Sequence, residues 1–318
     1  MRLKKLYTEV IKKGIDADPR SREDIEAILK SNKAKMENLN KIRKEYFDLD
    51  LLSNPYADTR ILYGSPEAEI KSMIIGIDIG GAELLLADKL NKEGKKIDLV
   101  VSHHPQGRAY AKFYEVMDLQ VDIFVQEGVS LSVAENLLGE RKSQVARRVS
   151  AANHSQSVDA ARLLNTNFLC MHTPCDNLAY QDLRKTLDKF KPSTLGRIID
   201  ILYDIPEYID AAKNNNPPNI VVGSKASRCK NIFLEFTGGT EGPKKIYEEL
   251  SSRGIDTIIA MHQSEEHYRK CKECNINVIF ASHIASDNLG INLMVDHLEK
   301  KEKLKVYEFS GFRRFKRK

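Results

Sequence analysis

Short apolar runs that each end in a polar cluster constrain this chain more than any other feature. Met73 to Ile77 ends at Asp78, and Ile97-Asp98-Leu99-Val100-Val101 runs into Ser102-His103-His104-Pro105. Between them Gly80-Gly81 turns the chain into a helical stretch, Ala82 to Leu90. Apolar runs of strand length flanking a helix predict buried parallel strands joined by a right-handed βαβ crossover. Gly76, Gly80 and Gly81 do not have the spacing of a dinucleotide fingerprint, so the glycine pair reads as a tight turn.

The pattern recurs along the chain. Asn167 to Met171 is a short strand that ends in His172-Thr173-Pro174-Cys175-Asp176, with a helix from about Tyr180 to Phe190. Strands are expected at Asn219 to Val222, Ile232 to Phe236, Thr257 to Ala260, Val278 to Phe280 and Lys305 to Phe309. Helices are expected at Gly242 to Arg253 and Asn288 to Lys300, and Val121 to Asn165 reads as helix with no Pro. The fold class is therefore α/β. Loop-like Asn214-Asn215-Asn216-Pro217-Pro218 suggests a boundary between two α/β lobes, 66–213 with a helical insertion and 214–318.

The first 65 residues form a helical N-terminal extension. Ser21 with Asp24 resembles a capping box, and Ile25, Ile28, Leu29, Met36, Leu39, Ile42 and Tyr46 recur at helical steps. Together they predict one helix of some seven turns, ended by Asn54-Pro55, acting as a cap or packing arm.

Bulk properties exclude several classes. With 318 residues, 30% charged and 42% hydrophobic, the chain is long enough for a sizeable core. It holds no apolar stretch approaching a membrane span. The start, MRLKKLYTEVIKKG, lacks an apolar signal region, and five cysteines without framework spacing suggest a reducing compartment. A cytoplasmic location is expected, with no membrane partner. Net charge is +5, and the basic end RRFKRK reads as a solvated terminus, so no nucleic-acid partner is expected.

The polar strand ends carry the chemistry. Ligand sites in open α/β sheets lie outside the carboxyl ends of the strands. His283 and Asp287 are four apart, and in a helix both would share one face about 6 Å apart. His172 and Asp176 repeat that spacing, although Pro174 favours a loop there. With His103 and His104, these residues offer six ligands, enough for two ions sharing a carboxylate. Imidazole and carboxylate suit Zn, Fe or Mn without choosing among them. Two such ions can clamp phosphate or acidify bound water. Cys271 and Cys274 form a lone CxxC, and Cys175 reads as a buried structural thiol.

The stretches IKSMIIGIDIGGAELLLADKL, DLVVSHHP, FLCMHTPCD, EFTGGTEGPKKIYEELSSRGIDTIIAMHQSEEH and NVIFASHIASD together resemble the Nif-three-like family, also described as GTP cyclohydrolase I type two-like proteins. The resemblance runs from about Thr59 to the C-terminal region. It implies a dinuclear metal site between two α/β lobes. By motif, His103 and His104 match the family's paired histidines, and His283 its late histidine. Asp176 takes the place of the bridging carboxylate, with His172 beside it as a lesser ligand or as a group behind the ligands. Asp287 stands where the family usually has Glu, one methylene shorter. Glu265, Glu266 and His267 fall near a polar stretch of the family's pocket; one of them would be a catalytic base there, or they are surface charges on a helix, the reading their pattern favours.

The resemblance also implies homo-oligomers, a hexameric ring among them. Asp176 to His283 spans 107 residues, too few for the family's inserted regulatory-like domain. His104 to Asp176 spans 72, longer than the family pattern, and the extra helices there could form a lid or alter an oligomer contact. Three functions stay open: a metal-dependent, cyclohydrolase-like hydrolase of a nucleotide-like or phosphate-bearing small molecule, a metal-delivery protein without turnover, or a regulatory interaction module.

Overall fold

The computed structural model describes residues 1–317. The chain opens with α1 (Leu3–Asp16), whose Leu3, Leu6, Tyr7, Val10 and Ile11 form a buried stripe at helical spacing. Then come α2 (Arg22–Glu37) and the short α3 (Lys41–Glu45). The capping box at Ser21 is present: the Ser21 hydroxyl accepts the Asp24 N–H at 3.1 Å, and the Asp24 carboxylate accepts the Ser21 N–H. The single seven-turn helix is not. The chain breaks at Asn40, whose side chain caps α3, and Ile42 and Tyr46 of the expected stripe face solvent. The tightly packed part of this extension is α1, which the apolar stripe did not include.

The first sheet and its helices follow: β1 (Arg60–Tyr63), β2 (Ser72–Gly76), α4 (Gly81–Lys92), β3 (Leu99–Ser102), α5 (Gly107–Ala111), α6 (Leu119–Gln126), α7 (Leu131–Ser150), α8 (Gln156–Leu163), β4 (Phe168–Cys170) and α9 (Thr173–Phe190). The rest of the chain supplies α10 (Leu195–Leu202), α11 (Pro206–Lys213), β5 (Asn219–Val222), β6 (Ile232–Glu235), α12 (Ile246–Ser252), β7 (Thr257–Ala260), α13 (Glu265–Glu273), β8 (Asn277–Phe280), α14 (His283–Lys301) and β9 (Lys305–Glu308).

Two sheets result, ordered β1-β4-β3-β2-β9 and β5-β8-β7-β6. In each, three successive strands run parallel and the first strand of the set, β1 or β5, pairs antiparallel at the edge. The sheets do not follow the expected boundaries at 65 and 213. β1 precedes the first boundary, and β9 returns to pair in parallel with β2. The Asn214–Pro218 loop joins α11 to β5 inside the second half, because α10 already packs its Leu195, Ile198 and Leu202 under β6, β7 and β8.

The two halves are copies of one plan. Leu3 and Lys4 donate their N–H groups to Ala68 and Pro66, as Leu195 and Gly196 donate to Ser227 and Lys225. The Asp98 carboxylate clamps the N–H groups of Lys71 and Ser72, as Asp256 clamps Lys230 and Asn231. The paired helices α9 and α14 lie between the sheets. Leu178 of α9 and Ile291 and Met294 of α14 help line the first sheet's inner face, and Leu183 and Leu289 the second's. Their contact is close because Gly290 has no side chain: a Cβ there would sit 2.2 Å from the Cys175 carbonyl oxygen.

The extra helices between β3 and β4 have a structural task. Leu119, Ile123 and Phe124 of α6 and Ala134 of α7 bury against Phe233, Ile258 and Val278, covering the outer face of the second sheet. α6 and the start of α7 thus belong to the first half in sequence but to the second half's core in packing, whereas Ala161 of α8 packs with Leu84 and Val100 on the first sheet. The basic end is also not simply solvated. Arg314 pairs with Asp296, and Arg317 meets both carboxylate oxygens of buried Glu207 at 2.8 Å.

Candidate metal centre

The carboxyl ends of β3, β4 and β8 converge on one point. After β3 the ladder continues for two residues: the His103 N–H bonds Gly76 O at 3.0 Å and the His104 N–H bonds Ile77 O at 2.9 Å. This holds His103 fully buried and His104 at the rim. After β4 the chain passes His172 straight into α9. Pro174 lies in the first turn, where its missing N–H has no intrahelical partner to lose, so it starts the helix instead of breaking it. His172 and Asp176 therefore face each other across one turn, at 3.6 Å. After β8, Ser282 sits at φ +77°, a rare conformation for a side-chain-bearing residue, and launches α14. One turn of α14 brings His283 Nε2 to 3.6 Å from Asp287 Oδ2.

His103 is the hub. Its Nε2 lies 3.4 Å from Asp176 Oδ1 and 3.5 Å from Asp287 Oδ1. His104 Nε2 lies 3.4 Å from Asp287 Oδ2. The resulting donor groups are His103, His172 and Asp176 on one side, and His103, His104 and Asp287 on the other. Asp287, despite its short arm, touches three of the histidines, whereas Asp176 touches two. Asp287 meets both paired histidines because α14 enters beside them.

The other ring nitrogens are fixed from outside. His103 Nδ1 faces the Met171 carbonyl at 3.1 Å, His104 Nδ1 meets Asp78 at 2.7 Å and His172 Nδ1 meets Asp58 at 2.8 Å. A carbonyl can only accept, so His103 donates from Nδ1 and turns Nε2 inward. This is the outer arrangement of metal-bound histidines. His103 Nε2, Asp176 Oδ1 and Asp287 Oδ2 are buried and make no hydrogen bond among the described residues. Buried polar atoms are rarely left so. A divalent cation would satisfy all three, and the donor set suits one.

Electrostatics agree. Burial works against a charged His103, but the Asp287 charge and the nearby Asp176 carboxylate push it well above the usual histidine range. His104 is raised too, against its burial, through Asp287 and Asp78. Asp287 is held far below the carboxylate range by His103, His104 and His283 in spite of burial. Asp58 is likewise lowered, its desolvation outweighed by His172, Thr173 and Arg60. The site is thus built to hold positive charge against two carboxylates.

No family model and no curated protein matches the chain. Solved structures do. A NIF3 superfamily protein from Sphaerobacter thermophilus matches with a TM-score of 0.70 and 29% identity, covering 80% of this chain and 91% of that one. The chain is similar to NIF3 superfamily proteins in fold and sequence, consistent with the NIF3-like resemblance. More distant matches are reduced HcgD from Methanocaldococcus jannaschii (TM-score 0.47, 11% identity, 84% and 94% covered) and a Bacillus cereus protein related to NIF3 (0.43, 9%, 92% and 96%).

In this NIF3-like chain, three expected site residues lie elsewhere. Glu265 and Glu266 are exposed on α13, paired with Arg269 and Lys244. His267 is buried, but it spans Ser264 Oγ at 2.6 Å and Gly242 O at 2.9 Å and so braces a loop. The α13 helix starts beyond the strand end, which turns all three away from the centre. The cavity beside the donor cluster, about 60 Å³, is lined instead by Glu235, Glu241 and His262, together with His172, Asp176, His283 and Asp287. Glu235 accepts from Tyr247 Oη at 3.0 Å and Gln263 Nε2 at 3.3 Å, and burial raises its carboxyl above the usual range. Sequence reasoning missed these three along with Asp58 and Asp78. Asp78 and His262 had a signal, since both sit at strand ends; Asp58 had none. A larger cleft of about 1180 Å³ beside α1 and β1 shares no residue with the cluster.

Proposed function

We propose that this chain holds two divalent ions at His103, His104, His172, Asp176, His283 and Asp287 and uses them to hydrolyse a nucleotide-like or phosphate-bearing small molecule. The observation that carries the metal reading is the set of unpartnered buried donors, His103 Nε2, Asp176 Oδ1 and Asp287 Oδ2, backed by fixed Nδ1 atoms. Adjacent divalent ions supply a nucleophile by lowering the pKa of bound water and polarise a phosphoryl or carbonyl oxygen. The protein's own part is to keep the six donors oriented and to place buried Glu235, whose carboxyl burial raises above its usual range, at the cavity wall. Zn, Fe and Mn all suit the donors.

The test is metal-stripped protein restored with Zn, Fe or Mn and assayed on GTP, other nucleotides and phosphate esters. Metal-dependent turnover lost in His103→Ala supports the reading; turnover indifferent to chelation and to His103→Ala sinks it. A second reading is metal delivery without turnover. It is favoured by the cavity, which at about 60 Å³ admits waters but no nucleotide unless the walls part. Rapid transfer of the ion to an acceptor by protein inactive on the whole panel would favour it.

The family implies assembly into a homo-oligomeric ring, and we carry that as part of the proposal. Leu85 and Leu86 of α4 and Leu163 of the adjoining α8 are exposed, which supports a buried partner there. Sedimentation of the intact chain tests this, and a monomer at all concentrations would refute it. Among the described residues no helix is long and apolar enough to cross a membrane.

A further inference from the structure

The duplicated plan places His262 where His104 stands in the first half. His104 lies six residues after the clamping Asp98, and His262 lies six after the clamping Asp256. Each follows its strand, β3 or β7, by two residues. The neighbouring motifs correspond as well: His172-x3-Asp176-Asn177-Leu178 after β4, and His283-x3-Asp287-Asn288-Leu289 after β8. One half therefore sets His104 near its own His-x3-Asp turn, and the other sets His262 near its own.

The geometry repeats the pattern. The His262 ring centroid is 4.6 Å from that of His283. Rings of the proposed ligands sit at comparable spacings, 4.9 Å for His103 and His172 and 5.3 Å for His104 and His283. His262 lines the same small cavity as Asp176 and Asp287. A carboxylate stands behind it, as Asp78 does behind His104: Glu241 Oε1 is 3.8 Å from His262 Nδ1. At that distance the carboxylate stands near the ring without hydrogen-bonding it, and the ring, 52% exposed, has room to turn.

We propose that His262 is a seventh metal donor, joining His104, His283 and Asp287 on the ion of the second half while the single inward nitrogen of His103 serves the other ion, with Glu241 as the nearby carboxylate that can turn to orient it. This rests on the metal-centre reading above. Its consequence is a choice of coordination. With Nε2 of His262 bound, that ion has four protein donors, the closed set typical of a structural site; with His262 turned out, three remain and a position opens. The ligand is a divalent cation that accepts imidazole nitrogen, and the ring's exposure makes His262 the donor that can leave without disturbing the core.

The experiment is titration of the metal-stripped full chain with Co²⁺, following affinity by chelator competition and geometry by visible absorption. His262→Gln is expected to weaken one of the bound ions by about 10–100-fold and to lower its four-coordinate absorption. Glu241→Gln should shift both in the same direction by less. A His262→Gln titration and spectrum identical to wild type would overturn the inference. Because a variant can fail through folding, X-ray absorption of the Zn-loaded wild type provides a second measure: five imidazoles shared over two ions support the proposal, and four overturn it. If the wild type binds no Co²⁺ and no Zn²⁺, the metal-centre reading falls and this one with it. If the wild type binds, His103→Ala abolishes binding and His262→Gln changes nothing, only this inference falls.

Discussion

Asp58 carries no motif, yet it fixes the ring of His172. Its carboxylate is buried, meets His172 Nδ1 at 2.8 Å and accepts from Thr173 Oγ1 at 2.6 Å. Asp58→Asn keeps the shape but can present an N–H to the ring. It should cost about 10–100-fold in metal affinity and about 1–3 kcal/mol in stability, read by chelator competition and urea unfolding. The ionisation pattern at the centre gives a second prediction. His103 is raised above 6.5, so its contribution to metal-free stability is complete below that value and is lost as pH rises through the raised one. Asp287 is depressed below 3.8, so its contribution is present above that value and is lost as pH falls through the depressed one. Metal-stripped protein should therefore be most stable between about pH 4 and 6.5. A divalent ion competes with the His103 proton, so the melting-temperature gain from Zn²⁺ should grow as pH rises. Melting curves with and without Zn²⁺ from pH 4 to 9 check both, and a gain that shrinks with pH would contradict the charge reading.

At the scale of elements, α9 and α14 decide how the two halves meet. Gly290→Ala would push a methyl into the Cys175 backbone, which cannot move without shifting α9. A destabilisation of about 1–3 kcal/mol is expected, with metal affinity lowered because Asp176 and Asp287 ride on these two helices. Urea unfolding and Co²⁺ titration read the two effects. These same helices show what the sequence reveals and what it hides. Parallel strands such as β2, β3 and β7 are legible because both faces are buried, which leaves unbroken apolar runs. Edge strands β1 and β5 are half-buried and their signal is weaker: β1 went unread. The start of α9 was hidden by Pro174, which reads as a breaker unless its place in the first turn is known. That His103, His104, His172, Asp176, His283 and Asp287 gather at one point was legible because each follows a strand end on the same edge of its sheet. For Glu265 and Glu266 the surface-charge reading fits their exposed pairs on α13, since charge near a strand end says nothing about which way the next helix turns. The break at Asn40 was missed because an apolar stripe continues in sequence after its helix has stopped.

Across the whole molecule, the C-terminal segment ties the two halves together. β9 adds to the first sheet beside β2, covering an edge that would otherwise expose unpaired backbone. Beyond it, Phe312 is fully buried in the first core, while Arg317 reaches Glu207 on α11 in the second half. Burial alone raises the Glu207 carboxyl, and Arg317 with Asn292 partly offsets this. Separate cuts should separate these roles. Ending the chain after Phe315 removes Arg317 and leaves Glu207 buried without its cation. The loss should be about 1–3 kcal/mol, below the 3–5 typical of a fully buried pair, because Arg317 keeps 29% of its side chain in solvent. Glu207→Gln should recover part of that loss, since a neutral amide needs no counter-charge. Ending the chain after Leu304 removes β9 as well and frees the β2 edge, so aggregation should appear alongside the lower stability. Urea unfolding of the three variants with light scattering distinguishes the cases. Equal stability of the two truncations would show that β9 pairing adds nothing beyond the arginine, whereas scattering confined to the longer deletion would show that its task is to close the sheet.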